Sequence, residues 1–201
     1  MQNPCVEAAP NASSCDGLIL AAGRGQRVGG ADKGLLNYRG RPLIATMVEL
    51  IRPHCQRVLI SCRPYHDAHY APYADQLIHD SAPEDYAGPF AGLYAALPYL
   101  HQDCLLLPCD MPELPPAALY LLLEAAAGNC QVPAWVIDHQ GQWQPLVSYL
   151  RPALIKTVSE AWERGERSLQ KLLRTSGARS IRCDLPGFDN LNHLEPSAMT
   201  P

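Results

Sequence analysis

A glycine-rich segment carrying three cations follows the first apolar run of the sequence. From Gly17 to Leu36 the chain reads GLILAAGRGQRVGGADKGLL. Its four loop glycines let backbone amides approach an anion closely, and Arg24, Arg27 and Lys33 supply positive charge for phosphate oxygens. The pattern therefore predicts a phosphate-binding loop. The alternative is a solvated turn with incidental charges.

The spacing within this loop differs from the two common nucleotide motifs. The sequence contains no G-x-x-x-x-G-K-[ST] stretch, so the loop is not a P-loop. It does not match the dinucleotide fingerprint G-x-G-x-x-G either, because Val28 stands at the position of the third glycine. The loop therefore indicates a different class of phosphate-binding protein.

A single aspartate ends the second informative apolar run. Residues 104–112 read CLLLPCDMP, which places Asp110 directly beyond a predicted strand. A carboxylate at the tip of a central strand is well placed to hold Mg²⁺, which prefers one or two carboxylates together with substrate phosphate oxygens. We therefore predict that Asp110 is a metal ligand. The alternative is a turn residue or a helix cap before Pro112.

The apolar runs alternate with amphipathic stretches, and this alternation predicts the scaffold that positions both motifs. Short, continuously apolar runs are typical of parallel strands covered on both faces, and the amphipathic stretches between them are typical of helical crossovers. We therefore predict an α/β fold with a mostly parallel sheet. Ligands of such sheets bind beyond the carboxyl ends of the strands, where both motifs lie.

Individual elements can be placed approximately. A helix is predicted over about 42–52, because proline is tolerated in a first helical turn and Pro53 comes where the helix should stop. The second half predicts strands over 132–137 and 144–149, and helices over 153–164 and 168–175. We expect a flexible N-terminal arm over 1–14, one domain over 15–195 and a C-terminal tail over 196–201.

Composition excludes several other function classes. The 201 residues carry a formal net charge of −4, so the chain has no excess of cations for a nucleic acid or a membrane surface. The N-terminus does not resemble a secretory signal, and no run approaches the ~20 apolar residues of a membrane span. The eight cysteines are scattered without a C-x-x-C pair, which favours reduced thiols over a zinc site. We expect a cytoplasmic protein.

Together the motifs resemble those of the molybdenum cofactor guanylyltransferases. The resemblance rests on G-x-G-x-R-x-G-G-x-D-K-G-L-L and P-C-D-x-P, and it is supported by IHDS, AGPFAGL, GQWQPL, GERS and a closing Asn190-Leu-Asn192. It covers most of residues 17–192. It implies a single Rossmann-like nucleotidyltransferase domain with a three-layer α/β/α sheet, which transfers GMP from GTP to molybdopterin and releases pyrophosphate.

The resemblance also implies roles for individual residues. The implied catalytic residues are Arg27, Lys33 and Asp110, with Asp110 as the implied ligand of the Mg²⁺ cofactor. The implied nucleotide-binding residues are Leu20, Ala21, Ala22, Gly23, Lys33, Ser61, Asp80 and Asp110. The implied acceptor-binding residues are Gly88, Gly92, Asn190 and Asn192. The implied partners are GTP, the molybdopterin-type cofactor and transient protein partners in cofactor delivery, with the chain acting as a monomer.

Three departures from the family pattern leave alternatives open. The stretch LAAG at 20–23 replaces the usual L-A-G-G of guanylyltransferases, and the related cytidylyltransferases more often carry A-A-G. Ser61 stands where some relatives have asparagine, and NHLEP at 192–196 replaces N-T-P-E. The alternatives are therefore a molybdenum cofactor cytidylyltransferase or a sugar-phosphate nucleotidyltransferase and, from another class, a non-catalytic nucleotide or cofactor carrier.

Overall fold

The computed structural model describes residues 15–22, 32–79 and 88–190. The strands in these ranges are β1 (Cys15–Leu20), β2 (Asn37–Tyr38), β3 (Arg41–Pro42), β4 (Arg57–Cys62), β5 (Gln76–His79), β6 (Asp103–Pro108), β7 (Ala134–His139), β8 (Gln142–Leu150) and β9 (Arg179–Arg182). The α-helices are α1 (Leu43–Ile51), α2 (Asp67–Tyr70), α3 (Pro89–Ala96), α4 (Pro116–Gly128), α5 (Pro152–Glu163) and α6 (Leu169–Thr175). Short 3-10 turns flank several of them.

Seven of these strands form one sheet, in the order β5-β4-β1-β6-β8-β7-β9. All neighbouring pairs are parallel except those made by β8, which runs antiparallel to β6 and β7. Buried side chains of α1, α2 and α4 pack on one face of the sheet, and those of α3, α5 and α6 pack on the other. The predicted α/β fold, with a mostly parallel sheet between two helical layers, is confirmed.

Strand β1 lies between β4 and β6 in the sheet. It is buried along its whole length, as expected of a parallel strand with helices on both faces. After β1 the chain forms β4 and β5 on one side of that strand, and it then crosses to form β6 on the other side. The strand order therefore reverses between β1 and β6, and such a reversal opens a crevice at the carboxyl ends of the strands.

A buried ion pair ties β1 to β4 at the opposite end of the sheet. The carboxylate of Asp16, which is fully buried, accepts hydrogen bonds from Arg57 Nε at 3.0 Å and Nη2 at 2.8 Å. It also accepts one from Gln102 Nε2 at 3.0 Å. Because a buried carboxylate is tolerated only when its oxygens are paired, this contact stabilises the arrangement of the strands and takes no part in the crevice.

The element predictions agree with the structure to within a few residues for α1, α5, α6, β7 and β8. Among the described residues, six cysteines are free thiols: Cys15, Cys55, Cys62, Cys104, Cys109 and Cys183. The prediction of reduced thiols is wrong at Cys130, which is disulfide-bonded. In the described part of the chain, none of the helices has the length and apolar character that a membrane crossing requires.

Candidate functional site

The carboxyl ends of β4, β1 and β6 are joined by hydrogen bonds that continue beyond the strands. The Ala21 amide donates to the Ser61 carbonyl at 2.8 Å, and the Cys109 amide donates to the Leu20 carbonyl at 3.2 Å. These bonds extend the ladder by one residue on each side of β1. The segments that leave the three strands therefore start from fixed positions at the crevice.

Lys33 and Asp110 meet at this edge, although 77 residues separate them in sequence. Lys33 Nζ lies 3.0 Å from Asp110 Oδ2, and the two side chains are 17% and 15% exposed. Asp110 is not a helix cap, because α4 begins after Pro115 and no side chain caps it. The carboxylate instead lies beside the Lys33 ammonium group, so a cation and a candidate metal ligand stand together at this edge.

A cavity of about 150 Å³ opens between these strand ends. Most of its surface is apolar, and it contains three polar side chains from different segments, Lys33, Ser61 and Asp110. The full lining is Leu20, Ala22, Lys33, Ser61, Gly88, Pro89, Gly92, Pro108, Cys109, Asp110 and Leu146. A largely apolar cleft with a few convergent polar groups is the usual composition of a small-molecule site.

The Ser61 hydroxyl is the unusual group in this cavity. Ser61 is fully buried, and its Oγ has no hydrogen-bond partner among the described residues. Gly92 of α3 leaves the space above it, because a β-carbon at that position would lie 2.9 Å from Ser61 Oγ and 3.0 Å from Leu20 Cδ2. A buried hydroxyl without a partner costs about 1–3 kcal/mol, so a ligand that bonds to it recovers that cost.

The N-terminus of α3 also borders the cavity. The helix begins at Pro89, after Gly88, whose φ of +67° is a conformation that favours glycine. Gly88, Pro89 and Gly92 all line the cavity. Because the first amides of a helix carry a partial positive charge, this end of the cavity suits a phosphate group.

Asp32 holds Lys33 in place, and the sequence analysis did not assign it a role. Its Oδ1 accepts hydrogen bonds from the Gly34 amide at 3.1 Å and from the Tyr70 hydroxyl. His66 Nε2 lies 3.5 Å from Oδ2. Burial raises the pKa of the Tyr70 hydroxyl, so this group stays a neutral donor. An aspartate directly before a turn-forming lysine and glycine was the available signal, since such residues cap turns.

Gly34 is required by close packing, and its replacement by alanine should destabilise the protein. A β-carbon at Gly34 would overlap the Tyr70 hydroxyl and lie 3.2 Å from two ring carbons of the fully buried Tyr70. We expect a loss of about 2 kcal/mol, which lowers the melting temperature by about 4–8 °C. Gly128→Ala is the matched control, because no atom lies within 4 Å of its β-position. Equal melting temperatures for the two variants would contradict this account of the packing.

The cavity also contains a thiol, which its surroundings make unreactive. Burial, followed by the neighbouring Asp110 carboxylate, raises the pKa of Cys109 well above its usual value. Because the thiolate is the nucleophilic form, Cys109 is a poor nucleophile at neutral pH. The arrangement therefore favours chemistry between bound substrates over a covalent intermediate on the protein.

The structure brings together seven of the residues predicted from sequence. These residues line the one cavity described above: Leu20, Ala22, Lys33, Ser61, Gly88, Gly92 and Asp110. Ala21 is fully buried beneath it, and Asn190 is not part of the lining. Gly23, Arg27, Asp80 and Asn192 lie outside the described residues. The cavity therefore contains residues from both the predicted nucleotide set and the predicted acceptor set.

Comparison with known proteins gives consistent results. The family model of the MobA-like NTP transferase domain matches residues 17–181. The chain is 42% identical over 181 residues to a molybdenum cofactor guanylyltransferase of Pseudomonas fluorescens (strain SBW25), a match covering 89% of each chain. A similar protein of Pseudomonas paraeruginosa with the same name is 41% identical over 184 residues, which is 90% of this chain and 91% of that one.

The fold is also shared with a solved structure. Molybdopterin-guanine dinucleotide biosynthesis protein A from Archaeoglobus fulgidus superposes with a TM-score of 0.66 at 24% identity, and the match covers 83% of each chain. At this level of identity the likeness concerns the fold alone.

Proposed function

Because the chain belongs to the MobA-like NTP transferase domain family and, within it, to the molybdenum cofactor guanylyltransferases, we propose that it transfers GMP from GTP to molybdopterin with release of pyrophosphate. The observation that carries the proposal is the contact between Lys33 and Asp110 at the strand-order reversal, in one cavity with Ser61. The arrangement combines positive charge, a carboxylate and a helix N-terminus around one small space.

The residues of the cavity suit in-line transfer between bound substrates. In such a reaction a phosphate oxygen of the acceptor attacks the α-phosphorus of the nucleotide, and pyrophosphate leaves from the opposite side. The protein must chiefly align the reactants and stabilise the developing charge. Lys33 supplies a fixed cation for the leaving group, and the N-terminus of α3 supplies amides for a second phosphate. The glycine loop, including Gly23 and Arg27, would hold the triphosphate.

Asp110 is the residue that would hold a magnesium ion. The donor set fits, because Mg²⁺ is usually bound by one or two carboxylates together with phosphate oxygens of the substrate. The Asp110 carboxylate and the Ser61 hydroxyl line the same cavity and offer oxygen donors, while burial keeps the neighbouring Cys109 thiol protonated and so a poor metal ligand. When bound, the ion would neutralise charge on the transferred and leaving phosphates. A divalent ion is also known in this fold, since the Rv0371c protein of Mycobacterium tuberculosis H37Rv was solved in complex with manganese (TM-score 0.67, 18% identity).

The nucleotide base would occupy the side of the cavity formed by Leu20, Ala22 and Ser61. The guanine assignment rests on the family, whereas the A-A-G stretch ending at Gly23 also occurs in cytidylyltransferases. Asp80, which follows β5 directly, would complete the nucleotide site. The acceptor-binding residues would be Gly88, Gly92, Asn190 and Asn192, of which Gly88 and Gly92 line the same cavity.

Pyrophosphate release tests this function. The purified chain is supplied with Mg²⁺ and a molybdopterin-type acceptor, and GTP, CTP and ATP are compared at equal concentration. We expect release that requires the acceptor and is fastest with GTP. Fastest release with CTP would make the chain a cytidylyltransferase. Tight nucleotide binding with no release above background would favour a carrier without catalysis.

Ser61→Ala should weaken nucleotide binding without lowering stability. The hydroxyl has no partner within the described protein, so its removal breaks no internal bond, while a lost bond to the nucleotide should raise KM about 3- to 10-fold. Ser148→Ala is the matched control, because Ser148 is equally buried and its hydroxyl donates to the Pro145 carbonyl at 3.0 Å. That control should lower the melting temperature and leave KM unchanged. A lower melting temperature for Ser61→Ala with unchanged KM would oppose the assignment.

The cellular setting of the protein follows from the same proposal. A transferase that works on a soluble nucleotide and a small cofactor is proposed to act in the cytoplasm, as a monomer that exchanges the cofactor with transient protein partners. Analytical ultracentrifugation of the full chain tests the monomeric state, since a dimer at micromolar concentration would contradict it.

A further inference from the structure

A second group of side chains whose types could hold a metal ion lies on the other face of the sheet from Ser61. Cys62 is the last residue of β4, His79 is the last residue of β5, and Asp67 is the first residue of α2. One ligand atom from each, a sulfur, a nitrogen and an oxygen, lies within 4.8 Å of the others. No step of the proposed transfer uses them.

The sheet itself places two of the three side chains side by side. Cys62 and His79 are direct partners in the parallel pairing of β4 and β5, so their side chains point to the same face. Cys62 packs in the core cluster beneath α1 and α2, whereas Ser61, the preceding residue, lines the cavity on the opposite face. The group is therefore held by strand ends, and it is separate from Asp110.

Asp67 joins the other two residues. Its Oδ1 and Oδ2 lie 2.8 Å and 3.0 Å from His79 Nε2, and Oδ1 lies 3.8 Å from Cys62 Sγ. Zinc bonds of about 2.3 Å to sulfur and about 2.0–2.1 Å to nitrogen or oxygen place tetrahedral ligand atoms roughly 3.3–3.6 Å apart. The side chains of Asp67 and His79 are 43% and 44% exposed, so they have room to adjust to that spacing.

We propose that Cys62, Asp67 and His79 form a site for one zinc-like divalent ion. A thiolate and an imidazole favour Zn²⁺ and related transition metals over Mg²⁺, which prefers oxygen ligands throughout. Three protein ligands leave a fourth position, and the exposure of Asp67 and His79 opens it to water. Bound metal would tie α2 to the edge of the sheet. Because α2 ends at Tyr70, the donor to Asp32, the site is connected to the turn that holds Lys33.

Cobalt titration of the full chain tests the site, because Co²⁺ bound by a thiolate gives a charge-transfer band in the near ultraviolet. The reduced, chelator-treated protein should develop this band to one equivalent of Co²⁺. Zn²⁺ should bleach it, and excess Mg²⁺ should not. His79→Gln and Cys62→Ser should each weaken metal binding at least about tenfold. Zn²⁺ should also raise the melting temperature of the unmodified protein and not that of His79→Gln.

Two controls distinguish this site from other thiols and histidines. Cys55→Ser removes one member of the pair in which Cys15 Sγ and Cys55 Sγ lie 3.8 Å apart, and His69→Gln removes a neighbouring imidazole on α2. Both should keep the band. A wild-type protein without the band overturns the proposal, as does His79→Gln with unchanged Co²⁺ affinity or a band that is lost only in Cys55→Ser. If Cys62→Ser folds poorly, His79→Gln still tests the proposal, because replacing an exposed side chain should not disturb folding. Binding is measured without GTP or acceptor, so the result is independent of the transferase proposal.

Discussion

Asp110→Asn should lower the turnover number about a thousandfold while the protein stays folded. Asparagine keeps the size of the side chain and removes the negative charge that would hold the metal, and charge stabilisation by a metal ion contributes several kcal/mol to such a transition state. The lost ion pair with Lys33 involves side chains that are only 15–17% exposed, so we expect a stability loss of about 1–3 kcal/mol, which a domain of this size tolerates. Initial rates of pyrophosphate release and thermal melting measure the two effects separately.

Glu113→Gln is the matched control for this variant. Glu113 follows Asp110 on the same segment, and its carboxylate accepts hydrogen bonds from the Tyr38 hydroxyl at 2.6 Å and Arg39 Nη2 at 2.7 Å at the surface. Glutamine can still accept both bonds, so turnover should remain close to that of the unmodified protein. If Asp110→Asn turned over at the rate of Glu113→Gln, the assignment of Asp110 would be wrong.

Lys33→Met should lower the turnover number about a hundredfold, with a smaller change in nucleotide KM. The ammonium group beside Asp110 is placed to meet charge that grows on the leaving pyrophosphate, and removing one such preorganised group typically costs 10²–10³ in rate. Methionine retains most of the side-chain volume and cannot donate a hydrogen bond. Steady-state kinetics with GTP and saturating acceptor separates the effect on kcat from the effect on KM.

Two comparisons sharpen the lysine experiment. Lys156→Met, on the exposed surface of α5, removes the same charge from the protein and should leave kcat unchanged. Lys33→Arg keeps the charge but places a larger planar group in a small cavity, so it should recover only part of the rate. If Lys33→Met raised the KM for GTP and left kcat normal, the lysine would contribute equally to substrate and transition-state binding, and its assigned role on the leaving group would be wrong.

The local pattern of the sequence was enough to predict the fold class and much of the site. Continuous apolar runs with amphipathic stretches between them predicted buried parallel strands and helices, because each element must hide one face from water. Prolines at both ends predicted the bounds of α1 closely, and the helices predicted over 153–164 and 168–175 agree with α5 and α6. The very short strands β2 and β3 and the exposed β9 were not predicted, since two to four residues carry too little periodicity.

Within the site, the sequence predicted those residues whose charge and position relative to a strand indicate their role. Lys33 in a glycine-rich loop and Asp110 at the end of an apolar run were identified before any contact was known. Asp32 was missed, because its partners Tyr70 and His66 lie more than 30 residues away and come from another element. Nothing in the local pattern around Tyr70 indicates that its hydroxyl meets that carboxylate.

Residue types and local patterns predict which chemical groups stand at the ends of the strands, whereas the folded sheet shows which of those ends are neighbours. The order β4-β1-β6 places Ser61 and Asp110 on either side of Leu20, and the pairing of β4 with β5 places Cys62 beside His79. The physical reason is that strand and helix type follow from local burial patterns, whereas strand order follows from hydrogen bonds and packing between distant segments.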